Sequence, residues 1–162
     1  NVFDRFSDIV GKIAATLMIL LLINVFYDVV VRYFFKSSSI GLQELEWHLF
    51  ASMFLLGIAY TLKEEGHVRV DIIYERLSSK GKAWINFLGC LFFLLPFCAL
   101  VIWYGYSFAL ESYNLQETSG DPGGLSHRWI IKSMIPFSAL ALALSGFGVL
   151  IKSLRSIVNH NI

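Results

Sequence analysis

The chain has 162 residues, of which 56% are hydrophobic and only 15% charged, against roughly 25% charged in an average soluble domain. That is too little charge to clothe a soluble fold, while a mean hydropathy of +0.64 excludes disorder. Two cysteines, Cys90 and Cys98, exclude a disulfide scaffold, and 13 basic against 12 acidic residues give no nucleic-acid surface. A polytopic membrane protein remains.

At the start, Val2, Phe3, Phe6, Ile9, Val10 and Ile13 recur at helical spacing, which predicts an amphipathic lead-in lying on the membrane surface. Lys12 and Arg32 then bracket 19 residues, Ile13 to Val31, with Asp28 as the one acid. About 20 mainly apolar residues cross a hydrocarbon core of about 30 Å, so the first span is expected at residues 13–35. Its apolar core is too long for a secretory signal, and no small-x-small cleavage site follows. Asn24, Asp28 and Arg32 are spaced by four and share one face. A charge in lipid is costly and usually paired. The simplest reading is an intrahelical Asp28–Arg32 pair; contact with another subunit and a coupling-ion or proton site are the alternatives.

Trp47 to Leu62 form a second uncharged run of 16 residues, with His48 near its start. Extended outward over Leu45 and Glu46, it gives a span at 45–62. In the segment 64–82, Val70, Ile73, Tyr74 and Leu77 share a helical face while Arg69, Glu75 and Arg76 point elsewhere. Gly66 and Gly81 provide breaks on either side. This predicts a surface-lying helix with a basic rim toward anionic lipid, with a plain connector as the alternative.

Ala83 to Leu110 run 28 residues without formal charge and hold the third span, at 83–108, kinked by Pro96. Cys90 and Cys98 on this helix would lie about 12 Å apart at 1.5 Å rise per residue, too far to bond, and are expected as buried free thiols. In the loop 111–128, Gly120, Pro122, Gly123 and Gly124 enforce turns. Arg128, Trp129 and Lys132 open the fourth span, at 130–151, with Pro136 one turn further in. Ala139, Ala143, Ser145, Gly146 and Gly148 give that helix small residues suited to close helix approach, whether inside the bundle or against a partner.

Nine basic residues fall before the first span, between spans two and three, and after the last; four (Arg32, Lys36, Arg128 and Lys132) fall on the other side. Positive-inside reasoning puts both termini and segment 64–82 in the cytoplasm and loop 111–128 outside. Trp47, Trp103 and Trp129 then sit at the outer boundary and Trp84 at the inner one, as an aromatic belt requires. The apolar runs are continuous rather than alternating, so a barrel is excluded. The expected fold is a single all-α integral membrane domain over 1–162: four transmembrane helices plus amphipathic surface-lying segments, both termini cytoplasmic.

No nucleophile–base motif, phosphate-cradling loop or zinc-ligand spacing is present, so no catalytic, cofactor or metal site is expected. Two alternatives stand beside that reading. His48 and His127 both fall near the outer side and could ligate a single haem in a cytochrome b-like anchor, although His127 follows a glycine-rich turn rather than sitting in a span. A stand-alone transporter would usually show internal repeats and broken helices at the midplane, and these four spans have dissimilar loops and little midplane polarity.

Four landmarks, in order and spacing, carry a resemblance over almost the whole chain. They are Val-Val-Arg-Tyr-Phe-Phe (Val30 to Phe35); Glu44-Leu-Glu-Trp47; Gly-His-Val-Arg-Val-Asp (Gly66 to Asp71) with Tyr74, Arg76, Leu77 and Ser78; and Arg128-Trp129 with Lys132, Ile135 and Pro136. The chain resembles the small membrane subunit of tripartite ATP-independent periplasmic (TRAP) transporters, the DctQ-like family. The resemblance implies a non-catalytic role in the bacterial inner membrane. In such transporters a large membrane subunit binds substrate and sodium and moves by an elevator-like motion. A periplasmic binding protein delivers an organic acid such as a dicarboxylate, a keto acid or sialic acid. The small subunit looks like a scaffold for the large one, which no fused domain supplies here and which is expected as a separate chain. Asp28, Arg32, Glu44, Trp47, Arg69, Asp71, Arg128, Trp129 and Lys132 are the candidates for contact with that subunit or with membrane lipids. The outer segments Ser37 to Glu44 and Glu111 to Arg128 are candidates for receiving the binding protein.

Overall fold

A computed structural model of the chain describes residues 2–64 and 77–159. Within them α1 (Val2–Phe34) and α2 (Ile40–Lys63) are joined by a tight link, and α3 (Ser79–Gly89) passes through a π-helical turn (Cys90–Leu94) into α4 (Leu95–Asn114). A loop over 115–128 leads to α5 (Trp129–Asn159). Four helical spans result, each long and apolar enough to cross a membrane, the third made of α3, the π turn and α4 together. They run up, down, up and down, bringing the two ends of the chain to one end of the bundle. That is the terminal end of the bundle; the opposite one is the loop end.

The caps follow from sequence. Ser39 in extended backbone accepts a hydrogen bond from the Leu42 amide and starts α2; Ser78 does the same for the Gly81 amide at the head of α3. The lead-in residues expected on the membrane surface continue the first span without a break, because nothing between Val2 and Phe34 interrupts the helix. At 1.5 Å per residue α1 is about 50 Å long, well beyond a hydrocarbon core of about 30 Å. The predicted surface helix of 64–82 falls mostly outside the described residues; its last residues, from Ser79, open α3.

The third span answers Pro96 with a change of helical register. Pro96 lacks an amide hydrogen, and the amide of Leu95, the residue just before it, donates to the Cys90 carbonyl five residues back, not four. The wider turn leaves the Cys90 thiol 3.2 Å from the Gly146 carbonyl, to which it donates. Cys90 and Cys98 are both buried and unbonded to one another.

The core lies along α5. Of its most apolar stretch 44% is buried, against 17%, 11% and 11% for the other three spans. Each neighbour meets a small residue on it. Ala141 packs with Leu56 and Ala59 of α2 and with Val10 and Ala14 of α1. Ser145 Oγ lies 2.8 Å from Ser7 Oγ of α1, and Gly148 faces Phe3. Gly146 receives Leu94 and Cys90 of the π turn. In the other direction Gly105 of α4 makes room for Pro136 of α5, whose ring carbon would stand 3.1 Å from any Cβ placed there. The small residues of the fourth span thus serve packing inside the bundle.

Gly105→Leu should therefore overpack a contact with a rigid ring and backbone, a class of change costing about 1–3 kcal/mol. Gly57→Ala, where an added Cβ meets nothing within 4 Å, should leave stability unchanged or slightly raised. Thermal unfolding in detergent, followed by tryptophan fluorescence, compares the two.

Candidate functional site

The candidate residues within the described part converge at the loop end. Glu44 lies one turn into α2 and is 7% exposed. Its carboxylate accepts from the Ser119 hydroxyl on one oxygen and from the Leu125 amide on the other. A carboxylate in the first turns of a helix also faces the positive end of the helix dipole. The loop is shaped to reach it. The Gly124 amide donates to the Asp121 carbonyl at 3.0 Å, the Ser119 amide to the Leu125 carbonyl at 3.0 Å, and the Arg128 amide to the Glu117 carbonyl at 3.1 Å. Gly123 turns the chain at φ +85°, a conformation that favours glycine. Gly124 then passes so close that a Cβ would stand 2.8 Å from the Glu44 carboxylate.

Around this latch the remaining candidates assemble. The Arg128 guanidinium lies over the Trp47 ring at 5.7 Å. Trp129 meets Tyr113 of α4 edge to face at 5.4 Å. Lys132 pairs with Glu117 and lies 4.1 Å over the Phe108 ring. The Lys132 ammonium beside Glu117 holds that carboxyl below its ordinary range. Asp28 and Arg32 form the expected intrahelical pair on α1, and Asn24 on the same face donates to the Leu42 carbonyl of α2 at 3.0 Å. Glu44, Trp47, Arg128, Trp129 and Lys132 thus belong to one cluster, with Asp28 and Arg32 beside it. Arg69 and Asp71 lie outside the described residues.

Sequence reasoning passed over three kinds of residue. Ser119 and Leu125 are the partners of Glu44, and nothing in their own identity marks them. Glu117 was one acid among several in the loop. The terminal end has its own ties, Lys63 with Asp8 and Lys152 with Asp4 at 2.8 Å, which join α1 to α2 and to α5. A signal for these existed in the opposite charges that flank the apolar runs. The two segments expected to face outward, Ser37 to Glu44 and Glu111 to Arg128, lie against one another: Gly41 sits against the Gly123 carbonyl and Glu44 holds the loop down. His48 turns Nδ1 to the Glu44 carbonyl of its own helix, and His127 is exposed beside Ser126. Among the described residues no three His, Cys, Asp or Glu side chains gather as metal ligands would. The arrangement binds the chain to itself; it is a fastening between the head of α2 and the 115–128 loop.

Two outcomes test the latch. Glu44→Ala orphans two donors, a loss worth about 1–3 kcal/mol where a partner is left buried, so amide exchange of residues 117–125 should quicken at least about tenfold. Acidification tests the other tie. Because the folded Glu117 carboxyl titrates below its ordinary 4.5, its contribution is present above that value and lost as pH falls through the lowered one. Loop protection should hold from neutral pH down to the carboxylate range and drop below it, and Lys132→Gln should remove that part of the drop.

A family model described as "Tripartite ATP-independent periplasmic transporters, DctQ component" matches residues 8–156. A protein of Haemophilus influenzae (strain ATCC 51907 / DSM 11121 / KW20 / Rd), described as a TRAP transporter small permease protein, is 30% identical over 128 residues, which cover 78% of this chain and 79% of that one.

Proposed function

This chain belongs to the DctQ component family of the tripartite ATP-independent periplasmic transporters, and from that membership we propose that it is the non-catalytic scaffold of a sodium-driven organic-acid transporter. In this reading it lies in the bacterial inner membrane with both termini in the cytoplasm, where nine of its 13 basic residues would fall. It braces a large elevator-type membrane subunit. The loop end faces the periplasm, and the joined surface of Ser37 to Glu44 and the 111–128 loop helps receive the substrate-binding protein.

One observation carries the scaffold role. Among the described spans only α5 is substantially enclosed; the most apolar stretches of the other three are between 11% and 17% buried. The bundle is a wall one or two helices thick, wrapped on a single axis, and most of its apolar surface has to be covered by lipid or by a larger companion. Such a wall has little interior in which to enclose a solute. It has a stiff outline instead, tied at the terminal end by Asp4–Lys152 and Asp8–Lys63 and at the loop end by the Glu44 latch. A transport element that moves needs a part that does not, and broad contact with lipid resists being dragged.

Proteoliposomes decide the matter. With the large subunit and binding protein present, sodium-dependent uptake should fall at least about tenfold when this chain is omitted, a difference of about 1.4 kcal/mol in effective coupling. This chain alone should show no substrate or sodium binding by calorimetry. Uptake at full rate without it, or a sodium site within it, overturns the proposal.

A further inference from the structure

On the outward side of the bundle, between α1 and α2, runs an open groove of about 590 Å³. Leu21, Leu22 and Val25 of α1 and Phe50 of α2 form its apolar length. Arg32, Gln43, Glu46 and Trp47 close it at the loop end. From Leu21 to Arg32 is a rise of about 16 Å at 1.5 Å per residue, close to half of a hydrocarbon core of about 30 Å. The groove is therefore long enough to take an acyl chain across one leaflet, and its polar residues stand together at the loop end, where the span leaves its apolar run.

The two charges in that rim differ in how they are met inside the chain. Arg32 gives Nη2 to Asp28 and keeps its side chain half exposed. A guanidinium carries five donors in a planar fork, so most of its capacity faces outward. Glu46 is half-buried yet has neither an ion-pair nor a hydrogen-bond partner among the described residues. A partly buried carboxylate at a membrane interface is costly unless a cation meets it. The rim thus offers a donor fork for a phosphate and, beside it, a carboxylate in want of an ammonium.

We propose that this groove is a binding site for phosphatidylethanolamine, with one acyl chain along Leu21, Leu22, Val25 and Phe50, the phosphate on Arg32 and the ammonium on Glu46. The headgroup chemistry selects among lipids. A primary ammonium donates charge-assisted hydrogen bonds to Glu46. A choline cannot donate, and a glycerol headgroup leaves the lipid anionic beside that carboxylate. The Trp47 ring, held from behind by Arg128, supplies an amphipathic edge at the depth of the lipid ester groups. The site depends on the chain spanning the bilayer and is independent of any transport role.

Native mass spectrometry of the full chain, titrated with ethanolamine, choline and glycerol phospholipids of identical acyl chains, tests the proposal. The ethanolamine lipid should be retained about tenfold better than either rival, and Glu46→Gln should abolish that preference. Val25→Trp, which fills the groove, should weaken all three lipids together while unfolding at a similar temperature. Equal retention of the three headgroups, or an ethanolamine preference that survives Glu46→Gln, overturns the proposal. So does a complex with the large subunit in which Glu46 is covered by protein and no lipid co-purifies.

Discussion

Everything in this bundle depends on how closely other helices can approach the face of α5. Lipid tails are as apolar as leucine, so apolar surface alone gives helices no reason to associate within a bilayer. What remains is van der Waals contact, which falls off within an ångström of misfit, and a few polar contacts. Small residues shorten the distance. Ala141 admits both α1 and α2, Gly146 admits the π turn, and Gly148 admits Phe3. The relation is reversed once, where Gly105 of α4 yields to Pro136. With four contacts each fixed by a glycine or an alanine, the relative height of every helix is set, and the outward faces are free to carry bulky residues.

The polar residues complete what the small ones begin, and they do so at the ends. Exposed ion pairs are worth little individually, around 0–1 kcal/mol, so Asp4–Lys152 and Asp8–Lys63 fix register more than they add stability. Glu44 is of another kind. It is buried and both its oxygens accept from one loop, which makes it costly to break. The result is a bundle whose apolar middle is held by shape and whose loop end is held by a carboxylate. The Trp47–Arg128, Trp129–Tyr113 and Lys132–Phe108 contacts turn the rim around that carboxylate into a continuous layer of amphipathic side chains at interface depth.

Gaps between charges were enough to find the four spans, because the bilayer demands uninterrupted apolar length and penalises every ion placed within it. The Asp28–Arg32 pair was readable for the same reason: four residues on one helix need no knowledge of the tertiary fold. Glu44 was visible as an acid beside an apolar run, but its partners were not. Ser119 and Leu125 lie 75 and 81 residues further along the chain, and a backbone amide leaves no trace in sequence. Helix ends also escaped. The helices run past the hydrocarbon boundary, α2 beginning at Ile40 and α1 at Val2, because beyond the lipid their length is set by caps and by packing on α5. Whether the small residues of α5 faced inward or toward a partner was likewise undecidable until the neighbours were placed.

The groove between α1 and α2 and the thinness of the wall are two aspects of one design. A bundle packed along one helix leaves a furrow on the outward side of two neighbouring helices, since no further helix covers that side. On the α1–α2 side the furrow is roofed by Arg32, Gln43, Glu46 and Trp47, residues that a purely protein-facing seam would have reason to match in charge within the chain. Glu46 has no such match among the described residues. A lipid held there would thicken the wall by one acyl chain and couple it to the leaflet through a headgroup. A stationary part in a fluid bilayer gains its hold in that way, by carrying lipid of its own. The latch at Glu44 lies one turn from Trp47 on α2, so the same helix end would hold the outer loop on one side and the lipid on the other.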